Sequence, residues 1–306
     1  MERMRFALLG HPVRQSVSPA MHGAALRALA LPHGYSAIDV PSEASLRRLV
    51  GEIRRGSFQG VNVTLPYKQV VLQMVDEVAA SAEEVGAANV LVRTPSGGVV
   101  AHNTDVSALA EEVLALTTGR PRQRAVVLGA GGAGLSAIAA LRQLGFSVVA
   151  VTSHSWKGTE DVYESESGKS ARRLGALTMP WPSDARDKPT SGKASQVLRM
   201  QWSEFAAAAD VIVQATSAGM RGGPPGEEVA RVVPWGLVRP AAVAYDVIYN
   251  PIETPFLREA RSRGREARGG LGMLVRQAAA SLALWTGEQP SMEVMRAAAE
   301  QALASA

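Results

Sequence analysis

The sequence contains no cysteine among its 306 residues. This absence excludes disulfide bonds, zinc sites built on thiolates and cysteine nucleophiles. A chain without cysteine suits a reducing compartment, so we expect a cytoplasmic location. The five histidines are not spaced as metal ligands usually are. We therefore expect no metal in the functional site.

Aromatic residues and long apolar runs are also scarce. Aromatics make up 5% of the chain, and 32 basic residues against 28 acidic ones give a formal net charge of only +4. A nucleic-acid-binding protein would show a basic stripe or interleaved aromatics. No apolar run approaches the roughly 18 residues that a membrane helix needs, and the apolar residues 6–10 are too few for a signal peptide. We expect neither nucleic acid nor a membrane as a partner.

What the chain does contain is an alternation of strand and helix patterns. Hydrophobic residues make up 46% of the sequence, enough for two domains of ordinary size. The first third predicts strands at 6–10, 35–40 and 60–65, and helices at 18–30, 42–54 and from Pro66 onward. Residues 89–93 and 99–102 flank a turn-rich segment and predict a hairpin. Ser81 and Glu84 fit a capping box. Such alternation is typical of an α/β protein with a mostly parallel sheet.

A second series of elements begins after the polar connector at 117–124. A buried strand at 125–128 leads directly into Gly129, Ala130, Gly131, Gly132, Ala133 and Gly134. A helix to about residue 144 and a strand at 146–152 follow. This strand, glycine turn, helix and strand form the context of a dinucleotide-binding fingerprint, although a glycine-rich turn can also occur without a ligand.

Residues 155–200 interrupt the pattern. Serine, glycine, lysine, aspartate and proline dominate there, and Trp156 and Trp181 are isolated among them. We expect a partly mobile, irregular insertion, with an oligomer contact through exposed tryptophans as the alternative. Beyond it, the sequence predicts strands at 209–214 and 241–247 and helices at 254–263, 271–285 and 291–304.

Polar residues cluster at two junctions of the first third. Lys68 follows the strand that carries Asn62 and Thr64, and Asp105 opens a helix after Asn103 and Thr104. Each residue has an ordinary structural alternative. A lysine in a first helical turn is usually a solvated charge, and an aspartate at a helix start is often its N-cap.

Taken together, these blocks resemble the shikimate dehydrogenase family. The matching blocks occur in family order and span most of the chain except roughly 153–205. They are Ser16-Val17-Ser18-Pro19, Asn62-Val63-Thr64-Leu65-Pro66-Tyr67-Lys68, Gly86-Ala87-Ala88-Asn89, Asn103-Thr104-Asp105, Gln214-Ala215-Thr216-Ser217-Ala218-Gly219-Met220 and Gly270-Leu271-Gly272-Met273-Leu274 with Gln277-Ala278.

The resemblance implies an α/β fold of two domains. Residues 1–106 plus 271–306 would form an N-terminal substrate-binding catalytic domain, to which the C-terminal helices return. Residues 107–270 would form a Rossmann-type dinucleotide-binding domain that holds NADP, with the irregular insertion at about 155–200. The implied partner is a small-molecule substrate, and the implied assembly is a monomer or homodimer.

The resemblance also implies a reaction and its residues. It is the reversible, NADPH-dependent reduction of 3-dehydroshikimate to shikimate in the chorismate pathway to aromatic amino acids. Lys68 would be the acid/base and Asp105 its partner. Burial would lower the pKa of the lysine and the carboxylate would raise it, and the sequence leaves that balance open. The implied substrate-binding residues are Ser16, Ser18, Asn62, Thr64, Asn89, Tyr249 and Gln277, although Ser18 considered alone predicts plain turn or cap chemistry.

The implied cofactor-binding residues are the six of the glycine turn together with Thr152, Ser153, Thr216, Val247, Gly270 and Met273. The stretch after the second strand, residues 152–157, carries neither the arginine typical of NADP-dependent members nor the acidic residue of an NAD enzyme. Its serines and Lys157 could receive a phosphate, so we expect NADP as the cofactor, with NAD also possible.

Two alternative functions stay open. One is a quinate/shikimate relative with a broader substrate range or NAD use. The other is a homologue that binds the cofactor without turnover, against which the presence of both Lys68 and Asp105 argues.

Overall fold

The computed structural model describes residues 3–182 and 193–305. The strands are β1 (Arg5–Gly10), β2 (Gly34–Asp39), β3 (Gly60–Val63), β4 (Glu77–Val78), β5 (Val90–Arg93), β6 (Val99–His102), β7 (Arg124–Leu128), β8 (Val148–Thr152), β9 (Leu177–Met179), β10 (Val211–Gln214), β11 (Val243–Asp246) and β12 (Glu266–Arg268). The helices are α1 (Ser18–Ala28), α2 (Glu43–Arg54), α3 (Ala80–Val85), α4 (Asp105–Leu116), α5 (Gly132–Gln143), α6 (Thr159–Glu164), α7 (Glu166–Arg173), α8 (Lys193–Ala207), α9 (Glu227–Val232), α10 (Pro255–Ser262), α11 (Leu271–Thr286) and α12 (Met292–Ala304).

These elements form two compact units. The first comprises Met1–Ala108 with Gly272–Ala306, and the second comprises Leu109–Leu271. Each boundary falls inside a helix, α4 or α11.

The first unit is built on a mixed sheet of strand order β2-β1-β3-β5-β6-β4. Strands β2, β1 and β3 run parallel, whereas β5 is antiparallel to both β3 and β6. The predicted hairpin is thus confirmed.

Helix α2 is stabilised at its N-terminus by a side-chain cap, since the Ser42 side chain accepts a hydrogen bond from the Ser45 amide at 3.2 Å. Leu46, Val50 and Ile53 then recur at helical spacing and are buried in the core.

The second unit is built on a parallel sheet of order β12-β11-β10-β7-β8-β9. Its central strands are buried on both faces, as in Val211–Gln214, whose first three residues are apolar. From β7 the chain first adds β8 and β9 on one side of the sheet. It then returns and adds β10, β11 and β12 on the other side of β7. This is the doubly wound arrangement of dinucleotide-binding folds. The switch in winding direction falls between β7 and β10. The predicted α/β class is confirmed.

The helix predicted from Pro66 is wrong. The Tyr67 amide donates to the Thr64 carbonyl at 2.9 Å, which makes a tight turn, and only a short 3₁₀ helix at Val70–Gln73 follows. The Tyr67 ring is buried and its hydroxyl donates to the Val40 carbonyl at 2.6 Å. This tertiary anchor overrides the local preference for helix.

The predicted capping box is also wrong. Ser81 lies inside α3, whose N-cap residue is Ala79 and which has no side-chain cap. The Ser81 hydroxyl instead accepts a hydrogen bond from the Asn103 amide at 3.1 Å. The hydroxyl that the local motif assigned to the helix N-terminus is thus bonded to a residue distant in sequence.

The prediction of an irregular insertion at 155–200 is wrong for the residues described. Helices α6 and α7, strand β9 and helix α8 lie in or extend into this range, whereas residues 183–192 fall outside the described part. Trp156 is fully buried and Trp181 is 5% exposed. The Trp156 indole donates to the Ser167 hydroxyl at 3.1 Å, and its carbonyl accepts from the Trp181 amide at 2.7 Å. The tryptophans therefore anchor the segment inside its own unit, which removes the predicted oligomer contact.

Replacing Trp156 tests this correction. We expect Trp156→Ala to lower the free energy of unfolding by about 3–5 kcal/mol, because it leaves a cavity the size of an indole. The matched control is Tyr163→Ala, which removes a ring that is 59% exposed. Denaturant unfolding of both variants measures the difference. A Trp156→Ala effect as small as that of the control would show that Trp156 is not part of the core.

Candidate active site

Three strands of the first sheet bring Lys68 and Asp105 together. Lys68 follows β3, and its carbonyl accepts a hydrogen bond from the Ala88 amide at 2.7 Å. The next residue, Asn89, donates its amide to the His102 carbonyl at 3.1 Å, at the end of β6. Asp105 opens α4 after the two residues that follow β6. These backbone hydrogen bonds thus bring Lys68, Asn89 and Asp105, which are far apart in sequence, to one edge of the sheet.

Lys68 and Asp105 form an ion pair of low exposure. The Lys68 Nζ atom donates to Asp105 Oδ2 at 2.6 Å, and the two side chains are 18% and 4% exposed. Among the contacts of the described residues, this bond uses one of the three N–H donors of the ammonium group. The pair can therefore hold a proton beside a ligand while its carboxylate stays in place.

Asp105 is not the cap of its helix. The Asn103 side-chain oxygen accepts hydrogen bonds from the Asp105 amide at 2.9 Å and the Val106 amide at 3.2 Å. Asn103 thus satisfies the first amides of α4, and the N-cap interpretation of Asp105 is wrong. The Asp105 carboxylate is left to bind side chains.

The Asn89 side chain links the ion pair to its surroundings. It is 2% exposed, and its Nδ2 atom lies 3.1 Å from Asp105 Oδ1, 2.9 Å from Thr104 Oγ1 and 3.1 Å from Gln277 Oε1. Its Oδ1 atom accepts from the Thr104 amide at 2.8 Å. Two amide hydrogens shared among three acceptors fix the orientation of the Asp105 carboxylate and bring Gln277 of α11 to the same place.

Asn62 lies beneath this cluster with its N–H groups engaged. Its Nδ2 atom donates to the Asn89 carbonyl at 3.1 Å and to Ser281 Oγ at 2.9 Å, while its Oδ1 atom accepts from the Tyr35 hydroxyl at 2.8 Å. The side chain is 5% exposed. These bonds hold the backbone of Asn89 in place and use both N–H groups of Asn62, so neither is available to a ligand.

The two serines of the first loop lie at the start of α1. Ser16 Oγ accepts from the Ser18 amide at 3.2 Å and donates to Ser18 Oγ at 3.1 Å. The helix has Val17 as its N-cap residue, so the cap interpretation of Ser18 is wrong. Thr64, which is partly exposed, donates its amide to the Leu9 carbonyl at 2.9 Å.

Two glycines of the turn in the second unit, Gly129 and Gly134, have no room for a side chain. A Cβ atom at Gly134 would lie 2.0 Å from the Gly129 carbonyl oxygen, and one at Gly129, where φ is 109°, would lie 2.9 Å from that of Ala215. Gly131 is the N-cap residue of α5, with no side chain to occupy the first amides of that helix. An open backbone in front of a helix N-terminus fits a pyrophosphate.

The other predicted cofactor residues follow the carboxyl ends of neighbouring strands in this sheet. Thr152 ends β8, and its buried Oγ1 atom has no hydrogen-bond partner among the described residues. Thr216 follows β10, and Val247 follows β11. A Cβ at Gly270 would lie 2.1 Å from the Val247 carbonyl oxygen, so glycine is required there. In doubly wound sheets, dinucleotides bind beyond the carboxyl ends of strands at the switch in winding, and these residues fit such a ligand.

Two further predicted residues lie outside these clusters. Tyr249 is partly exposed and follows β11, and Met273 is 6% exposed in the first turn of α11. Sequence reasoning missed the supporting residues Tyr35, Ser281 and Gln214. Gln214 is fully buried, and its side-chain amide donates to the Ala218 carbonyl at 3.1 Å. Its place in the Gln214–Met220 block was the available signal.

Within residues 3–182 and 193–305, no group of three or more histidine, aspartate or glutamate side chains is arranged to hold a metal ion. In the same part of the chain, no helix combines the length and the apolar character that crossing a membrane requires.

A doubly wound sheet with a glycine turn, in a chain whose other unit carries a lysine–carboxylate pair, defines a two-domain α/β oxidoreductase. Comparison with known proteins identifies its family. Residues 8–91 match the model of the shikimate dehydrogenase substrate binding domain, and residues 270–300 match that of the shikimate 5'-dehydrogenase C-terminal domain. The chain belongs to the shikimate dehydrogenase family.

Individual relatives agree over nearly the whole length. The shikimate dehydrogenase (NADP(+)) of Thermus thermophilus is 36% identical over 301 residues, which cover 98% of this chain and 99% of that protein. A crystal structure of the shikimate 5-dehydrogenase of that organism with NADP(H) and shikimate covers 98% of this chain and 100% of its own, with a TM-score of 0.76 and 34% identity. Quinate dehydrogenase from Corynebacterium glutamicum in complex with NAD has a TM-score of 0.77 and is 28% identical, over 98% of this chain and 99% of its own.

A buried histidine beneath the site generates a pH prediction. His22 is 1% exposed and its ring stacks on that of Tyr35 at 4.1 Å, and burial lowers the pKa of His22 to about 3. The unfolded chain takes up a proton near pH 6.5, whereas the folded chain does not until about pH 3. His22 therefore contributes stability that is present above pH 6.5 and is lost as the pH falls toward 3.

We expect the free energy of unfolding of the native chain to fall more steeply below pH 6.5 than that of His22→Phe, by up to about 1.4 kcal/mol per pH unit. Denaturant titrations at several pH values measure both slopes. Parallel slopes for the two proteins would mean that His22 is protonated in the folded state.

Proposed function

We propose that this chain is a shikimate dehydrogenase, which reduces 3-dehydroshikimate to shikimate with NADPH in the chorismate pathway and catalyses the reverse reaction with NADP⁺. The observation that carries the proposal is the pairing of Lys68 with the buried Asp105 carboxylate at 2.6 Å. A protein that only binds its ligands has no need for this acid/base pair.

Reduction of a ketone adds a hydride to the carbonyl carbon and a proton to its oxygen. NADPH, when bound, supplies the hydride. Lys68 supplies the proton from its ammonium group and becomes a neutral amine. In the reverse direction the neutral amine accepts the proton of the substrate hydroxyl as the alcohol is oxidised.

Asp105 and its neighbours control this lysine. The Asp105 carboxylate accepts a hydrogen bond from the ammonium form of Lys68, the form that can donate a proton. The hydrogen bond from Asn89 to Asp105 Oδ1 keeps the other carboxylate oxygen directed at Lys68. Asn89 and Gln277 face each other at 3.1 Å, and we assign both to the substrate hydroxyls. Asn89 would act through the lone pair of Oδ1 that the Thr104 amide does not use, and Gln277 through the second N–H of its Nε2 atom.

The remaining polar residues serve the rest of the substrate. We assign the hydroxyls of Ser16 and Ser18 to its carboxylate, and Thr64 and Tyr249 to further contacts. We retain Asn62 as a residue of the substrate site, where it acts by positioning Asn89, because both of its N–H bonds are made within the protein.

We assign substrate binding and catalysis to the first unit and NADP binding to the second. The glycine turn and the N-terminus of α5 would hold the pyrophosphate. Thr152 and Ser153 would lie toward the adenosine ribose, and Thr216, Val247 and Gly270 toward the nicotinamide half. We keep Met273, which belongs to the first unit, as a further residue for the nicotinamide. The close backbone approaches at Gly134 and Gly270 support this assignment.

One assay separates this function from its alternatives. The purified chain is offered shikimate and then quinate, each with NADP⁺ and with NAD⁺, and the absorbance of the reduced nicotinamide is followed. We expect turnover with shikimate and NADP⁺. Turnover of quinate alone would indicate a quinate dehydrogenase, and cofactor binding without turnover of either substrate would indicate a non-catalytic homologue.

Replacing the lysine tests its assigned role. We expect Lys68→Ala to lower kcat by roughly two to four orders of magnitude with little change in KM, because a positioned acid/base acts mainly on the transition state. Lys169→Ala is the matched control, since Lys169 is 55% exposed and pairs with a neighbour on its own helix. A Lys68→Ala enzyme with a raised KM and an unchanged kcat would make Lys68 a binding residue.

A further inference from the structure

The loop after β8, residues 153–158, lies where doubly wound folds select their cofactor. An acidic residue at the end of the second strand binds the ribose hydroxyls of NAD, and a nearby arginine receives the 2′-phosphate of NADP. This loop contains neither residue type. It does contain His154, between Ser153 and Ser155, whose hydroxyls lie 3.0 Å apart.

The imidazole of His154 is held in place although its side chain is 59% exposed. Its Nε2 atom lies 3.2 Å from Glu228 Oε1 and 3.2 Å from the Nζ atom of Lys157. The ring packs edge-on against Trp181 with centroids 5.6 Å apart, and the Trp181 indole donates to the same Glu228 oxygen at 3.1 Å. Three side chains from three segments thus orient one exposed ring.

The two neighbours of Nε2 require opposite protonation states. A protonated Nε2 can donate to Glu228, whereas an unprotonated Nε2 can accept from Lys157. Nε2 therefore has a partner whether or not it carries a proton, Glu228 in one case and Lys157 in the other. An incoming anion can shift the balance between these two protonation states.

We propose that His154 recognises the 2′-phosphate of NADP(H) in place of an arginine, and that recognition is coupled to uptake of a proton by its imidazole. The proposal rests on the function proposed above. A phosphate beside the ring favours the imidazolium and makes a charge-assisted hydrogen bond with it, while the hydroxyls of Ser153 and Ser155 and the Lys157 ammonium add donors. NAD lacks the phosphate and has no such effect.

The charged groups around the ring act in different directions. Lys157 of the same loop places a positive charge beside the ring, and Glu228 of α9 places a negative one there. Asp161 of α6 accepts the amides of Lys157 and Gly158 at 2.9 and 3.0 Å, which holds the loop. The segment after β9 contributes the uncharged Trp181 indole. A 2′-phosphate would add a second negative charge beside the ring, so we expect selectivity for NADP to depend on pH.

Calorimetric titration of the full chain with NADP⁺ and NAD⁺ tests the proposal. Each titration is run at about pH 6 and about pH 8, which bracket the titration range of a histidine, in buffers with different heats of ionisation, so that the protons taken up are counted directly. We expect the ratio of the NAD⁺ to the NADP⁺ dissociation constant to be roughly tenfold higher at the lower pH, the usual effect of one charge-assisted hydrogen bond. We also expect proton uptake with NADP⁺ beyond that of the phosphate itself.

Two variants and one control isolate the histidine. His154→Gln should lower the ratio at the lower pH roughly tenfold and abolish the additional proton uptake, since a neutral amide replaces the imidazolium. His154→Arg should keep a high ratio at both pH values without the additional proton uptake, because arginine is always charged. His11→Gln is the control, since His11 is also exposed and lies 2.9 Å from a carboxylate, that of Asp39. It should behave as the native chain does.

A His154→Gln variant that keeps the native ratio and the native proton uptake would overturn the proposal. If the native chain meanwhile oxidises shikimate with NADP⁺, only this inference fails and the proposed function stands. A native chain that binds neither nucleotide would overturn both.

Discussion

The side-chain amide of Asn89 is the interaction on which the catalytic cluster depends. Its Nδ2 atom lies within 3.1 Å of oxygens on Asp105, Thr104 and Gln277, and its Oδ1 atom accepts the Thr104 amide. One buried group thereby ties the strand hairpin, the start of α4 and helix α11 to a common geometry. An unpaired amide at this position would be costly, so the network is held in one arrangement. The orientation of Asp105 toward Lys68 follows from it.

A different constraint governs the second unit, where backbone segments approach too closely for side chains. Glycine is required at Gly134 and Gly270 because a Cβ atom would lie 2.0 and 2.1 Å from a carbonyl oxygen. Only backbone atoms can therefore occupy these two positions. The first unit thus presents the converging side chains to which we assign proton transfer, whereas the second presents the bare backbone to which we assign the cofactor phosphates. This division suits an enzyme whose cofactor performs the hydride chemistry.

The segment after β8, to which we assign cofactor selection, is held by packing within its own unit. Trp156 and Trp181 are buried, and the Trp181 indole shares Glu228 with His154. The loop itself has few apolar residues, and two buried tryptophans, Trp156 within it and Trp181 after β9, hold it in place. The position of the exposed histidine depends on contacts with Trp181 and Glu228, which lie far along the chain and which no local motif describes.

The sequence alone determined the α/β class, the glycine turn and the candidate pair Lys68 and Asp105, because hydrophobic period, glycine spacing and family motifs are local properties. Tertiary structure alone decided which polar group bonds to which. Asn103 caps α4 in place of Asp105, and Asn62 directs its N–H groups to Asn89 and Ser281. Pro66 lies within a turn that begins at Thr64, and the burial of Tyr67 holds that turn in place. The side-chain hydrogen bonds of Asn62 and Tyr67 are made with partners distant in sequence. A local sequence pattern does not show which of several possible partners a polar group will bond to.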